Sequence, residues 1–415
     1  MTRARVVVIG AGIAGVSAAY HLSVRHGVSD VVIIDPRPPL TLTSDKSTEG
    51  YRNWWPDPSM VGLMNHSIDL MEELARDIDF GLNRRGYLFV TANQDTLAEM
   101  CDQVVRTAQL GAGADILDSD ALSTQFPFIT EDALGGVQVH RAGWLSAQQF
   151  GQWMLEQARE SGVRVIAEVV TGLEAGKVTT GAGTTLPAEE IVIAAGPMAA
   201  QVAGLAEIDL PLFSELHLKV VFRDHLGVIP RDAPMTIWSD VQHIAWGDDE
   251  RDELEKAGRL DVLGEMPVFC HFRPEGGGDS PFVAALWEYD NRVVDPVWPI
   301  PTDPLYPEVV IRGLTTMVPG LEGYRDRLPH SVVDGGYYTK TRENRPLIGP
   351  SPGDGIHLLC GLSGFGVMAA PGAGDLVARH ITGETLPGYA DAFLMSRYED
   401  PAYLSTMLET GSGQL

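Results

Sequence analysis

The 415-residue sequence predicts an α/β fold in two parts, one built on a parallel sheet and one of α+β type built on a mixed or antiparallel sheet. Three observations support this prediction. Near the N-terminus, two short apolar strands flank a glycine-rich turn and a helix, which is the pattern of a βαβ unit. Apolar runs followed by small-residue turns recur at residues 189–200 and 356–366. Residues 211–325 contain several runs rich in aromatic and β-branched residues, which favour strands.

The composition narrows the function classes. The net charge is −26, so nucleic acid is not an expected partner, because phosphate contacts need a basic surface. No apolar run approaches the roughly 18 residues of a membrane-spanning helix, so we expect no membrane partner. Cys101, Cys270 and Cys360 show no paired spacing, which predicts reduced thiols and a cytoplasmic protein. The eleven histidines show no metal-ligand spacing, so we expect no metal site.

The first element is the stretch RVVVIGAGIAGVSAA. Residues 6–9 are apolar and β-branched, which predicts a strand buried on both faces. Gly10, Gly12 and Gly15 follow as G-x-G-x-x-G, and a helix is predicted from residue 16. In this motif the first glycine permits a tight turn, the second lets a pyrophosphate approach the backbone, and the third lets the helix pack on the sheet. The helix N-terminus then stabilises the phosphate charge.

The second strand completes the motif. Residues 31–34 are apolar and end at Asp35, which lies 20 residues after Gly15. This separation is expected for the carboxylate that binds ribose hydroxyls. The stretch therefore predicts a dinucleotide site, and it leaves NAD and FAD both open.

The segment after the second strand bears on the choice of cofactor. An NAD-dependent dehydrogenase normally continues into another helix and strand of its βαβ series. Here Pro36, Pro38 and Pro39 forbid an immediate helix, and the polar loop TLTSDKSTEGYRNWW follows at residues 41–55. A long helix is predicted next, over residues 59–77.

At this loop the sequence resembles the flavin-dependent amine and amino-acid oxidoreductases related to D-amino-acid oxidase, glycine oxidase and monomeric sarcosine oxidase. In that family a Ser/Thr/Gly-rich loop after the second strand wraps the flavin, and its end often carries a substrate-facing arginine. The resemblance implies that Ser44, Lys46, Ser47 and Thr48 hold the flavin and that Arg52 reaches the substrate.

Three later stretches extend the resemblance along the chain. Residues 143–174 resemble the family's helix and strand, with Val170 at the position that touches adenine. Residues 189–200 resemble its strand and small-residue turn. Residues 335–384 contain GLSGFG between a strand and a helix, where backbone N–H groups can stabilise negative charge on the flavin. Together with the first motif, the resemblance implies FAD contacts at Gly10, Gly12, Ile13, Ala14, Gly15, Asp35, Pro36, Arg37, Ser44, Lys46, Ser47, Thr48, Val170, Ala195, Gly196, Gly361, Ser363, Gly364, Phe365, Gly366 and Val367.

The resemblance also implies a reaction. It indicates an FAD-dependent oxidoreductase that oxidises a C–N bond of an amino acid or N-alkylated amine, by hydride transfer to flavin N5, giving an imine that hydrolyses. Arg52 would pair with the substrate carboxylate through two hydrogen bonds, and Tyr338 stands at a second substrate-contacting position. The alternatives are that Arg52 pairs with Glu49 or Asp57 on the surface, and that Tyr338 is a core residue.

Some positions depart from the family. Gly336 replaces the cysteine that carries the covalent flavin link in sarcosine-oxidase-like members, so we expect FAD to be bound non-covalently. Met368 replaces a carboxylate-binding lysine, and residues 282–290 lack a lysine that promotes reaction with oxygen. The electron acceptor is therefore left open between O₂ and another molecule. Trp54 and Trp55 are expected either to form an aromatic wall of the pocket or to pack in the core.

The resemblance implies a discontinuous arrangement of domains. We expect a Rossmann-type FAD-binding domain at residues 1–80, 140–210 and 326–390, an α+β substrate domain at 81–139 and 211–325, and a C-terminal tail at 391–415. Two other functions stay open: oxidation of the C–O bond of a 2-hydroxy acid, and a flavin-binding assembly protein without turnover. An NAD-only dehydrogenase is a weaker alternative.

Overall fold

A computed structural model of the protein describes residues 4–406. Residues 1–3 of the first expected domain segment and 407–415 of the expected tail lie outside the described residues. The strands in the described part are β1 (Ala4–Ile9), β2 (Val31–Ile34), β3 (Gly50–Arg52), β4 (Tyr87–Thr91), β5 (Ala114–Asp118), β6 (Gly135–Val139), β7 (Ala142–Trp144), β8 (Arg164–Ile166), β9 (Val170–Glu174), β10 (Lys177–Thr180), β11 (Thr185–Ile193), β12 (Phe213–Arg223), β13 (Met235–Trp238), β14 (Gln242–His243), β15 (Glu265–Met266), β16 (Cys270–Glu275), β17 (Phe282–Leu286), β18 (Ser331–Lys340), β19 (Leu347–Pro350) and β20 (Ile356–Cys360).

The α-helices in the same part of the chain are α1 (Ile13–Tyr20), α2 (Thr43–Lys46), α3 (Pro58–Leu74), α4 (Gln94–Ala108), α5 (Ser119–Gln125), α6 (Ala147–Glu160), α7 (Ala199–Gly204), α8 (Asp248–Lys256), α9 (Tyr306–Met317), α10 (Gly366–Thr382) and α11 (Pro401–Thr406). A π-helical turn over His21–Arg25 extends α1, and a 3₁₀ turn over Ser363–Phe365 precedes α10. None of the helices among the described residues combines the length and the apolar composition needed to span a membrane.

The first sheet has the strand order β19-β20-β11-β1-β2-β8. The strands from β20 to β8 are parallel, whereas β19 adds antiparallel to β20. Helices α1, α3, α6 and α10 pack together on one face and form a continuous apolar core with β1 and β2. The apolar, β-branched strands need such cover on both faces, and the second face packs on α7 and the β9–β10 hairpin.

The second sheet has the order β18-β12-β17-β16-β13-β4-β6-β5. Its strands pair antiparallel except β13 and β4, which are parallel, so the sheet is mixed. Helix α9 covers one face and shares an apolar core with β12, β16 and β17. The other face looks toward the loop that follows β2. The predicted α/β fold with a second, mixed sheet is confirmed.

Local predictions hold with small shifts. The long helix expected over residues 59–77 runs from Pro58 to Leu74, with the Asp57 carboxylate accepting from the Ser59 amide at 2.7 Å as its cap. This cap fixes the start of the helix at Pro58, one residue before the predicted start. The domain boundaries stay a prediction, and β18, which falls in the third expected segment of the FAD domain, lies in the second sheet.

Candidate functional site

A cavity lies where the carboxyl ends of the first sheet meet the open face of the second sheet. Among the residues expected to touch the cofactor or substrate, those that line it are Gly10, Gly12, Ile13, Ala14, Asp35, Arg37, Ser44, Lys46, Ser47, Ala195, Gly196, Gly361, Ser363, Gly364, Gly366, Val367 and Tyr338. Gly15, Pro36, Thr48, Val170, Phe365 and Arg52 are not among the lining residues.

The glycine turn after β1 has the geometry that its sequence predicts. Gly10 has a φ of +112°, and a Cβ there would collide with the carbonyl oxygen of Ala194 at the end of β11. A Cβ on Gly15 would collide with the carbonyl oxygen of Gly10. Gly10 therefore permits the tight turn, and Gly15 lets α1 pack on the strand, which explains why Gly15 lies beneath the cavity and not on its wall.

The N-terminus of α1 opens into the cavity. Gly12 is its N-cap and supplies no side chain. The amide of Ile13 donates to the Ser44 hydroxyl at 2.9 Å, and a Cβ on Gly12 would meet only that hydroxyl, at 3.4 Å. Backbone N–H groups at such a helix end attract phosphate oxygens. The cradle therefore fits the pyrophosphate of a dinucleotide.

Asp35 lies at the end of β2 with both carboxylate oxygens engaged. One accepts from the amide of Ala11 and the other from the amide of Arg37, each at 2.8 Å. These bonds fix the carboxylate at the cavity wall. Thr43 also lines the cavity, and its hydroxyl oxygen is buried and has no hydrogen-bond partner among the described residues. A buried polar atom without a partner is costly, so this atom also suits a polar ligand.

The loop over residues 41–55 is tied to the second sheet. Lys219 donates to the carbonyl oxygen of Ser47 at 2.8 Å, and Arg273 donates to that of Thr48 at 2.7 Å. Arg273 also pairs with Glu49 at 3.2 Å. Lys46, expected to hold the flavin, pairs at 3.0 Å with Asp334 while it lines the cavity. Thr48 is therefore a position where the loop is anchored, because its carbonyl faces a buried guanidinium.

The face of the second sheet that lies over the cavity is called the roof. It carries residues that were not predicted from the sequence as site residues. His217 lines the cavity, and its ring centroid lies 4.5 Å from that of Tyr338. Its Nε2 lies 3.1 Å from a carboxylate oxygen of Glu215, which also pairs with Lys340 at 2.7 Å. Burial raises the pKa of the Glu215 carboxyl, but the hydrogen bonds from His217 and Lys340 leave it below its ordinary value. The roof thus holds a carboxylate charge.

A signal for these roof residues was present in the sequence. Glu215, His217 and Lys219 alternate with apolar residues in the run ELHLKV, and alternate residues of a strand share a face. In the sheet Glu215 pairs with Tyr338, and Lys219 pairs with Leu286, so all of them face the cavity side. The sequence showed the alternation but not which side the cofactor loop would cover.

Arg52 is 4% exposed, at the end of β3. Its guanidinium carbon lies 4.1 Å from the Trp55 ring centroid and 5.9 Å from those of Tyr87 and Phe89, which belong to the second sheet. Its Nε donates to the carbonyl oxygen of Trp54 at 3.1 Å. Arg52 therefore lies at the contact between the loop and the roof, beyond the residues that line the cavity.

The surface alternative for Arg52 is wrong. The two acids considered as its partners bind other arginines: Glu49 pairs with Arg273, and Asp57 pairs with Arg345. Burial lowers the pKa of Arg52 to about 10, and nearby Tyr87 and Glu288 oppose that shift. The guanidinium therefore keeps its positive charge at neutral pH.

Two titratable groups of the second sheet, Tyr338 and His271, are uncharged at neutral pH. Burial raises the pKa of the Tyr338 phenol well above its ordinary value, and Glu288 adds to the effect. Burial also lowers the pKa of His271 to about 4, with a small contribution from the positive charge of Arg52. The sequence left the facing of His271 and Arg273 open. The register of β16 with β17 places both on the cavity side, opposite Leu286 and Ala284.

The positions that depart from the expected pattern also have defined surroundings. Gly336 lines the cavity, and a Cβ there would meet Thr43 Cγ2 at 3.2 Å. Met368 is 5% exposed and packs in the core around α10. Trp54 and Trp55 are buried against the rings of Phe89 and Phe365, respectively. Of the two roles considered for these tryptophans, core packing is the one that the contacts support.

Comparison with known proteins adds independent information. The model of the family described as "DAO: FAD dependent oxidoreductase" matches residues 5–380. Sarcosine oxidase subunit beta from an Arthrobacter species is 22% identical over 95% of this chain and 91% of its own length. Mitochondrial dimethylglycine dehydrogenase from Rattus norvegicus is 24% identical over 91% of this chain, but the match covers only 42% of that relative.

Solved structures share the fold. The structure of L-proline dehydrogenase from P. horikoshii superposes with a TM-score of 0.77, covering 96% of this chain and 98% of that one, at 19% identity. Glycine oxidase from Geobacillus kaustophilus also gives a TM-score of 0.77, covering 96% and 99% of the two chains, at 16% identity. At such identities the likeness establishes the fold alone.

Proposed function

Because the chain belongs to the family of FAD-dependent oxidoreductases, we propose that it oxidises a C–N bond of an amino acid or N-alkylated amine. The product would be an imine that hydrolyses to a carbonyl compound and an amine. Relatives named for oxidation of sarcosine, dimethylglycine and glycine support this substrate class. The enzyme would pass its electrons to O₂ or to another acceptor.

One observation carries the proposal. A single cavity runs from the N-terminus of α1 to Tyr338 and His217 on the roof. A dinucleotide whose pyrophosphate lies at Gly12 can therefore extend toward the second sheet, where Tyr338 and His217 line the cavity. A site made only to store a nucleotide would not need this roof.

The proposed FAD contacts follow from the cavity wall. Gly12, Ile13 and Ser44 would hold the pyrophosphate, and Asp35 would bind ribose hydroxyls. Residues 361–367 would present backbone N–H groups to the ring system. When bound there, FAD supplies a two-electron acceptor for the C–H bond next to the substrate nitrogen.

The remaining residues would bind and orient the substrate. Arg52 is positively charged and would pair with an anionic group of the substrate, such as a carboxylate. Tyr338 stays protonated at neutral pH and offers a hydrogen-bond donor on the roof. The Glu215 carboxylate, with His217 beside it, would favour a positively charged or hydrogen-bond-donating nitrogen. A substrate carrying both a carboxylate and an amine suits these charges.

An anaerobic substrate screen tests the function. Amino acids, N-methylated amines and 2-hydroxy acids would be mixed with the purified protein while the flavin absorbance near about 450 nm is followed. Bleaching by an amine or amino acid is the expected result. Bleaching by 2-hydroxy acids alone would favour C–O oxidation, and a yellow protein that no substrate bleaches would favour a flavin-binding assembly protein.

Two further parts of the proposal rest on single features. Cys101, Cys270 and Cys360 are all free thiols, which supports a reducing compartment such as the cytoplasm. The two sheets support a division into an FAD-binding domain and a substrate domain. Limited proteolysis with and without FAD would test that division, because ligand binding protects the domain that binds it.

A further inference from the structure

A second polar cluster lies away from the cavity, where the end of α1 meets α3 and α10. It contains His21 and His26 at the two ends of the π-helical turn, His66 on α3 and Asp375 on α10. None of these residues lines the cavity, and the proposed reaction does not use them. Asp375 is 4% exposed, so its charge is held inside the protein.

Three ligand-type atoms converge in this cluster. His26 Nε2 lies 2.8 Å from Asp375 Oδ1, and His21 Nδ1 lies 3.5 Å from the same oxygen. These three atoms all lie within 4.8 Å of one another. Ligand atoms that bind one ion at about 2.0–2.2 Å must lie this close together. The spacing therefore suits a single small cation.

The hydrogen bonding of the cluster leaves one buried ring nitrogen without a partner among the described residues. His21 is 2% exposed, and its Nδ1 has no hydrogen-bond partner among the described residues. His26 Nδ1 lies 2.7 Å from Glu384 Oε1, while its Nε2 faces Asp375 Oδ1. A neutral imidazole carries one proton. If Nδ1 donates to Glu384, Nε2 presents a lone pair to a carboxylate oxygen, an arrangement that a metal ion between them would make favourable.

The backbone creates this convergence. An α-helix turns every 3.6 residues, so residues five apart would diverge around its axis. The π-helical turn over His21–Arg25 closes with a hydrogen bond from the His26 amide to the His21 carbonyl at 2.9 Å. It brings positions i and i+5 above one another, and such turns occur often at functional sites. The π-helical turn therefore explains why the sequence spacing of His21 and His26 did not indicate a metal site.

We propose that His21 Nδ1, His26 Nε2 and Asp375 Oδ1 bind one divalent transition-metal ion of the zinc class. Two imidazole nitrogens and one carboxylate oxygen are ligands that zinc accepts, whereas calcium and magnesium prefer sites made of oxygens alone. Three protein ligands leave a fourth position for water. This inference revises the expectation that the chain has no metal site.

The surrounding residues match the outer partners that metal sites need. A metal-bound histidine usually donates its other ring N–H to a carboxylate, and Glu384 occupies that place for His26. The second oxygen of Asp375 binds Arg379 at 2.6 Å and His66 Nε2 at 3.2 Å. Arg379 and His66 therefore engage Oδ2 and leave Oδ1 directed toward His21 and His26. The site would fasten α1 to α10, whose other ends contribute to the cavity.

Zinc titration of the untagged, FAD-loaded protein tests the site. After dialysis against EDTA, the protein would be titrated with zinc chloride against a chromophoric chelator, and bound metal would be counted by mass spectrometry. We expect one zinc per chain and a higher melting temperature on zinc addition. His26→Gln should abolish stoichiometric binding. Glu384→Gln, which changes an exposed outer partner, should weaken affinity about 10–100-fold.

A matched control is His140→Gln. His140 also lies 2.8 Å from a carboxylate oxygen, that of Asp115, but on the surface. This variant should bind zinc like the parent protein. The proposal is overturned if the parent shows no saturable binding of zinc, or if His26→Gln binds it with the same affinity and stoichiometry. Retained flavin absorbance shows that a variant is folded. If His26→Gln is misfolded, the zinc affinity of Glu384→Gln decides the test instead.

Discussion

Arg273 on strand β16 donates its Nε–H to the carbonyl oxygen of Thr48 at 2.7 Å, and this bond joins the second sheet to the loop that follows β2. The same guanidinium pairs with Glu49, whose other carboxylate oxygen accepts from the amide of Ala147 at 2.8 Å. Arg273 is 2% exposed. One buried side chain therefore fixes the backbone of the loop just beyond the residues that line the cavity.

The first prediction concerns this anchor. Arg273→Met removes the donor to Thr48 and leaves two carboxylates without their cation, that of Glu49 and that of Glu275, which pairs with Arg273 at 2.8 Å. Breaking a buried pair on one side costs about 3–5 kcal/mol, so chemical denaturation should show a loss of roughly that size. FAD should also bind more weakly, because the loop loses its fixed position. The dissociation constant of FAD, measured by titrating apoprotein, checks this.

A double variant separates charge from anchoring. Arg273→Met with Glu49→Gln removes the more buried of the two charges left unpaired, so part of the stability should return. FAD affinity should stay low, because the carbonyl of Thr48 still lacks its donor. If the double variant binds FAD as tightly as the parent, the loop does not depend on Arg273 for its position.

The second prediction concerns the glycine turn. Gly12→Val places a branched side chain where the cavity meets the N-terminus of α1, with Ser44 Oγ only 3.4 Å from its Cβ. The variant should fold and lose its flavin, since a phosphate can no longer reach the backbone amides. Gly113→Val is a suitable control, because a Cβ there meets nothing within 4 Å. A Gly12→Val protein that purifies fully yellow would show that the pyrophosphate lies elsewhere.

The turn was predictable from sequence because it is a local feature. The conformation of Gly10 and the approach of Gly15 to the strand depend on residues close together in the chain. The 20-residue spacing to Asp35 likewise follows from one βαβ unit. Val170 shows the limit of this reasoning. It begins strand β9, and only the placement of the β9–β10 hairpin on β11 decides whether it can reach the cavity.

The roof was less predictable for a physical reason. Tyr338 and His217 come together because β18 pairs with β12 across more than a hundred residues of chain. The register of such a pair is set by the whole sheet, and a shift by one residue would turn both side chains to the other face. The sequence could indicate strands there, but it could not show that Arg52 would lie against Tyr87, beyond the residues that line the cavity.

The third prediction is that FAD is bound non-covalently. Gly336 lines the cavity and offers no nucleophilic side chain. Cys360 also lines the cavity, and burial raises the pKa of its thiol to about 12, so the reactive thiolate is scarce at neutral pH. Acid precipitation should therefore release FAD into the supernatant. Flavin that remains with the protein pellet would contradict this expectation.

The fourth prediction concerns stability at acid pH. Burial lowers the pKa of His271 from about 6.5 to about 4. A group with a lowered folded-state pKa contributes stability above its unfolded value, and that contribution is lost as pH falls toward the folded value. Between pH 7 and pH 5 the loss amounts to about 2 kcal/mol from this residue. Urea denaturation of the parent and of His271→Gln at both pH values measures it.

The difference between the two proteins isolates His271, because other titrating groups are shared. The His271→Gln variant should lose about 2 kcal/mol less than the parent between pH 7 and pH 5. If the free energy of unfolding falls equally between pH 7 and pH 5 in the parent and in His271→Gln, protonation of His271 does not destabilise the folded protein.

The last prediction concerns Arg52 and follows from its position. Its guanidinium is charged, buried and stacked on Trp55 at the contact between the loop and the roof. If it binds the substrate carboxylate, Arg52→Ala should cost about 2–5 kcal/mol of binding, which raises KM at least about thirtyfold. Flavin content should stay near normal, because the residues of this loop that line the cavity, Ser44, Lys46 and Ser47, precede Arg52 in the chain. Arg52→Lys should rescue KM only in part, because an ammonium cannot make the two-pronged contact.

The control must remove a buried, stacked arginine elsewhere. Arg312 lies 4.4 Å above the Trp246 ring, is 7% exposed and pairs with Glu308 and Glu250, far from the cavity lining. Arg312→Ala should lower the melting temperature but leave KM unchanged. If Arg52→Ala behaves in the same way, Arg52 holds the loop against the roof and the substrate is not bound through a carboxylate there. A larger and less anionic amine would then fit the site better, since Met368 also offers no positive charge.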